Sequence, residues 1–156
     1  TDGAGLLSFV GNVNVLDKVT TDVTANSTAE TTLYAFSVPG GTLGSSNVLR
    51  LTIYVTANSW STGNLTLRFK YGATTVITGT ITTGGANDMT GRLQFFLSGN
   101  GLTNSQVGMV DGRRLDIFIG TSAIDSTVAQ TLVVTAQFGG LVGSITLGYA
   151  VLERGV

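Results

Sequence analysis

Apolar and polar residues alternate with a period of two along most of this chain, the spacing of strands with one dry face and one wet face. In NLTLRFKY, Leu65, Leu67, Phe69 and Tyr71 share one face, while Thr66, Arg68 and Lys70 share the other. The same pattern places Leu49, Leu51, Ile53 and Val55 inward in VLRLTIYV, and Tyr34, Phe36 and Val38 inward in TLYAFSV. It returns in GRLQFFL (Leu93, Phe95, Leu97), RRLDIFI (Leu115, Ile117, Ile119), TLVVTAQF (Leu132, Val134, Ala136, Phe138) and SITLGYAVL (Ile145, Leu147, Tyr149, Val151). With TTVITGTIT and a strand near NVNVLDKV, the pattern predicts about eight or nine strands parted by Gly, Asn and Ser clusters.

Strands dry on one side only belong in antiparallel sheets packed in two layers. The expected fold is therefore all-β, a two-sheet β-sandwich of jelly-roll type, with an immunoglobulin-like Greek key as the alternative. Helix signals are nearly absent. The stretch LSGNGLTNSQVGMVDG is the least strand-like, and its glycines leave room for no more than a turn of helix. Residues 1–25 form an N-terminal arm or first strand and residues 26–156 the sandwich domain in this reading. Within TDGAGLLSFVGN, Leu6, Leu7, Phe9 and Val10 make a short apolar patch between glycines, which either packs on its own domain or docks on a neighbouring subunit.

VPGGTLGSSNVLRL holds the only proline of a chain with 22 glycines. A phosphate-cradling loop would run from a strand into a helix whose first amides face the anion. Here the segment runs into an alternating strand, so Pro39 ends one strand and Gly40-Gly41 turn a corner.

Charged residues are only 11% of the 156, less than half the usual share, and Thr, Ser, Asn and Gly supply the polarity. A net charge of −1 with scattered Lys and Arg leaves no footprint for nucleic acid, and no apolar run is long enough to span a membrane, so neither is an expected partner. Without histidine or cysteine, catalytic triads, thiolate chemistry and most zinc sites are excluded.

Carboxylate chemistry remains, but no acidic pair sits in a motif that recommends it. Asp88 and Asp111 read as turn residues, with Asp111-Gly112 a hairpin signal. The loop GGANDMTG offers oxygen ligands without the spacing of a calcium loop. No enzyme activity, cofactor or metal is expected. Trp60, in the polar loop TANSWSTGN, and Tyr54 beside it are the candidate ligand-binding residues should the chain recognise a sugar or a receptor.

The series TAETTLYAFSVPGGTLGSSNVLRLTIYV, GNLTLRFKYGATTVITGTI and QTLVVTAQFGGLVGSITLGYAVLE resembles a recurrent β-sandwich module of tailed-bacteriophage virion proteins, over Thr28 to Glu153. The resemblance implies a non-enzymatic structural role in the virion, assembled in the host cytoplasm, as a capsid-surface decoration, fibre or tail-fibre component. It implies partners among other virion proteins and carries over no catalytic residue. A homo-oligomer is expected, a trimer favoured. Its candidate contacts are Leu6, Leu7, Phe9 and Val10, with Phe96, Phe118, Val133 and Leu152, each out of phase with its strand's inward set. The alternative is a receptor- or carbohydrate-binding head of a tail fibre, with a host-surface glycan as partner.

Overall fold

Nested pairing organises the chain. The computed structural model describes residues 13–58, 63–82, 90–112, 115–140 and 143–155, and for Asn58 and residues 115–118 it describes the backbone. Among them run β1 (Asn14–Val19), β2 (Val23–Ala25), β3 (Thr31–Val38), β4 (Val48–Asn58), β5 (Leu65–Tyr71) and β6 (Thr74–Ile81). There follow β7 (Gly91–Gly99), β8 (Gln106–Gly112), β9 (Leu115–Ser122), β10 (Gln130–Phe138) and β11 (Ser144–Gly155). All pairings are antiparallel. One sheet is ordered β1-β11-β4-β7-β8-β9, with β2 also on β11, and the other β3-β10-β5-β6.

Strands β2, β3, β4 and β5 thus pair outside-in with β11, β10, β7 and β6, as in a long hairpin wrapped into two layers. That is a jelly roll, and it replaces the immunoglobulin-like alternative. The hairpin β8–β9 is an addition between β7 and β10, in the returning half of the ribbon, and it extends the larger sheet.

The inner faces meet in one core. Leu49, Leu51, Ile53 and Val55 of β4 lie over Leu65, Leu67, Phe69 and Tyr71 of β5 and the rest of the cluster, all of them buried. Phe69 and Phe95 stack across the layers with ring centres 5.0 Å apart. At the corner, β3 ends on Val38, Pro39 follows, and Gly41 takes φ +77° while its N–H donates to the Ser126 carbonyl at 2.8 Å. Leu43, fully buried, then closes that end of the sandwich.

Strict alternation fails at bulges, where one extra residue re-phases a strand. In β11 the register shifts between Leu147 and Tyr149, so Ala150 and Leu152 turn inward while Tyr149 and Val151 turn out. Leu152 is fully buried, which corrects its expected place on the outer face. A bulge in β3 buries Leu33 beside Tyr34, and Phe36 is left half-buried. One in β1, between Val15 and Asp17, turns Asp17 inward, where it accepts a 2.9 Å hydrogen bond from the Tyr34 hydroxyl across the layers.

Two further expectations are corrected around the added hairpin. The glycine-rich stretch before Asp111 holds β8, because Gly108 and its partner Gly120 supply the space for β6 to cross. A Cβ on Gly120 would stand 1.8 Å from the Val76 carbonyl oxygen, and one on Gly108 2.6 Å from a Val76 methyl. The inward positions here are those of Gly108, Val110 and Gly120, so Ile119, expected inside, is 71% exposed. Gln106, buried at the start of β8, is satisfied on both ends. Its Oε1 accepts from Ser122 and the Ile124 N–H, and its Nε2 donates to the Thr103 and Ile124 carbonyls.

Removing a ring from the stacked pair leaves a cavity that the two sheets cannot close. Phe69→Ala is expected to cost about 3–5 kcal/mol of unfolding free energy in urea titration, with circular dichroism still reporting strands.

Candidate functional site

The face that a jelly roll leaves wet should be polar, and on the larger sheet it is only partly so. Cross-strand register lines up Val15, Glu153, Arg50, Phe96, Met109 and Ile119 in one row across β1, β11, β4, β7, β8 and β9. Each lies on the side opposite the core, since its strand neighbours Leu51, Phe95, Leu97, Val110 and Leu152 are buried. Val15 is 56% exposed and Ile119 71%. Five inter-strand gaps make this row ~24 Å long. The next row along the strands carries Gly155, Val48, Ser98 and Val107.

Between these rows lies a shallow hollow of about 150 Å³, lined by Val13, Val48, Phe96 and Gly155 with Arg50 and Glu153 at its side. Arg50 donates from Nε to Glu153 Oε2 at 2.9 Å, and its Nη2 stands 2.7 Å from the same oxygen. Phe96 was legible as an out-of-phase apolar residue. Val13, Val15, Val48 and Met109 were not singled out, and Ile119 was expected inside, although register joins Val15, Met109 and Ile119 to the row and Val48 to the next.

Farther along the same face, Tyr54 and Tyr149 pack with ring centres 5.8 Å apart, and the Lys18 ammonium lies 5.7 Å from the Tyr149 ring. The bulge in β11 creates this pair by turning Tyr149 outward. Tyr54 is 46% exposed, as a ligand-stacking ring must be. Trp60, its expected neighbour, lies outside the described residues, as do Leu6, Leu7, Phe9 and Val10, and of Phe118 only the backbone is described, paired with Val110. Val133 is half-buried on the outer face of the smaller sheet and is not part of the row.

On that smaller sheet the charges are paired. Glu30 binds Lys70, accepts from the Thr135 hydroxyl at 2.7 Å, and lies 3.3 Å from Arg68. The Lys70 hydrogen bond, then that of Thr135, holds the Glu30 carboxyl below the ordinary glutamate value of 4.5, against the opposing effect of burial. Burial pushes the Tyr71 phenol up to about 12, with Asp125 adding to it. Burial first, then the Asp17 hydrogen bond, raises Tyr34 further still. Neither phenol offers an ionised nucleophile near neutral pH. Among the described residues no group of three or more acidic side chains could hold a metal ion, and no helix is long and apolar enough to cross a membrane.

No family model and no curated protein matches the chain. Solved structures similar to it include the CBM2 module of the evolved Dit of Lactobacillus casei BL23 phage J-1, at 11% identity and a TM-score of 0.42, covering 76% of this chain and 67% of that one. The seed lectin of Lotus tetragonolobus overlaps at 8% identity and 0.46, covering 91% of each chain. Lectin I-B4 of Griffonia simplicifolia overlaps at 6% and 0.44, covering 99% and 97%. At such overlap the likeness carries no argument about binding or activity.

A carboxylate held below its ordinary value stabilises the fold most where the unfolded chain would still be ionised. The contribution of Glu30 is therefore full above the ordinary glutamate value and lost as pH falls through the lowered one. Unfolding midpoints of the native chain are expected to drop through that acid range more steeply than those of Glu30→Gln.

Proposed function

We propose that this chain is a non-enzymatic structural module of a tailed-phage virion, a capsid-surface decoration or fibre component that works by contact as a homo-oligomer. The observation that carries the reading is the outer row from Val15 to Ile119, in which Val15, Phe96, Met109 and Ile119 flank the Arg50–Glu153 pair, with the hollow beside Phe96. Single exposed apolar residues are ordinary on any protein. A row that runs from edge to edge of a sheet and borders a hollow is the kind of surface that binds another protein. The strand series that resembles virion modules supports the phage assignment, and the paired charges on the other sheet fit a scaffold whose remaining surface is inert.

The Tyr54–Tyr149 pair favours a second reading, recognition of a host-surface sugar by ring stacking, with Lys18 beside it to donate hydrogen bonds.

Native mass of the chain at rising concentration tests the first reading. A discrete oligomer is expected, together with binding to particles that lack the protein and loss of that binding when residues before Asn12 are removed. A monomer at every concentration, with particle binding untouched by the truncation, overturns it. For the second reading, glycan-array binding should vanish in Tyr54→Ala with the fold retained, and an array without signal from the native chain would dismiss it.

A further inference from the structure

We infer that the outer face of the larger sheet is covered by a second copy of this chain, in a two-fold pairing whose axis runs along the strands between β11 and β4. The inference deepens the homo-oligomer reading above and rests on it.

The argument comes from the order of residues about that axis. On the central row, Val15 and Glu153 lie on one side, and Arg50 and Phe96 on the other. Turning a second copy by half a turn about the axis and laying it face to face sets each row against its own reversal. Glu153 then meets Arg50 of the second copy, and Val15 meets Phe96 of the second copy, each contact made twice, as a two-fold interface requires.

Opposite charge faces opposite charge and apolar faces apolar. The flanking rows agree. In one, Gly155 meets Val48 of the second copy, which places a residue without a side chain opposite a branched one beside the hollow. In the other, Lys18, Val151, Thr52 and Gln94 are in register, so Lys18 meets a neutral Gln94 of the second copy. No row sets like charges against each other. An axis along the row instead would set Arg50 against itself, which like-charge repulsion forbids.

Size fits a modest association. Four strands about nine residues long make a face of ~19 by ~30 Å. That is ~600 Å² per copy, against ~800 Å² per partner in a standard interface. Pairing at micromolar concentration is expected, and the number of copies is then even, where the sequence alone favoured three.

Charge exchange between copies tests this on the full-length chain, read by native mass and sedimentation. Arg50→Glu alone and Glu153→Arg alone should each weaken pairing about tenfold or more, because each sets like charges opposite one another across the axis. An equimolar mixture of the two should recover pairing as a mixed species, one chain of each. Within a single chain the mixture repairs nothing, so recovery reports contact between copies.

Pairing that survives in both variants, or a mixture as weak as its parts, overturns the inference. If the native chain still associates under that result, the homo-oligomer reading stands with its interface elsewhere. If the native chain never associates, both fall. Should either variant fail to fold, Val15→Cys mixed with Phe96→Cys decides the question, since the chain has no cysteine of its own. A disulfide-linked pair carrying one chain of each supports the contact, and its absence under oxidising conditions overturns it.

Discussion

Two sheets stay together here because each strand turns its apolar side toward a single dry layer, occupied by one cluster of buried residues that runs from Leu43 at one end to Phe138 at the other. That requirement is stronger than the regularity of any one strand. Where strict alternation would have put Ala150 and Leu152 in water, β11 inserts Gly148 as an extra residue and restores them to the interior. Where β1 would have kept Asp17 outside, a bulge brings it in to meet the Tyr34 hydroxyl, so that the one phenol buried near that edge has an acceptor. Burying that hydroxyl without a partner would cost about 1–3 kcal/mol.

The outer faces inherit what the interior does not take. Because β11 is re-phased, Tyr149 emerges beside Tyr54, and Glu153 emerges beside Arg50. The features that set apart the outer face of the larger sheet are thus by-products of packing the core. The smaller sheet shows the opposite outcome. Its Glu30, Lys70 and Arg68 satisfy one another and leave little for a partner to bind.

Much of this was legible in the sequence, and the reasons for the rest are physical. Period-two spacing identified the inward sets of β4, β5, β7 and β10, and the Pro39 corner followed from the chemistry of proline and glycine. Period two cannot see a bulge, however, because the inserted residue is defined by the partner strand and not by its own neighbours. Leu152, Tyr149 and Val151 were assigned to the wrong faces for that reason. Ile119 and the strand at Gln106–Gly112 were misjudged for another, since Gly108 and Gly120 serve as inward residues through their lack of a side chain. The row from Val15 to Ile119 could not be read at all, because it joins six strands from four separate parts of the chain and exists only once register is known.

The glycine crossing also settles how the sandwich ends on one side. β6 is the last strand of the smaller sheet and β9 the last of the larger, and Gly120 lets the Val76 carbonyl come up against β9 so that the two rims abut. Unpaired rims are where sheet proteins recruit foreign strands and begin to aggregate. This molecule therefore shields one flank with two missing methyl groups, and among the described strands the edges left for a strand added edge-on are those of β1, β2 and β3 at the opposite flank.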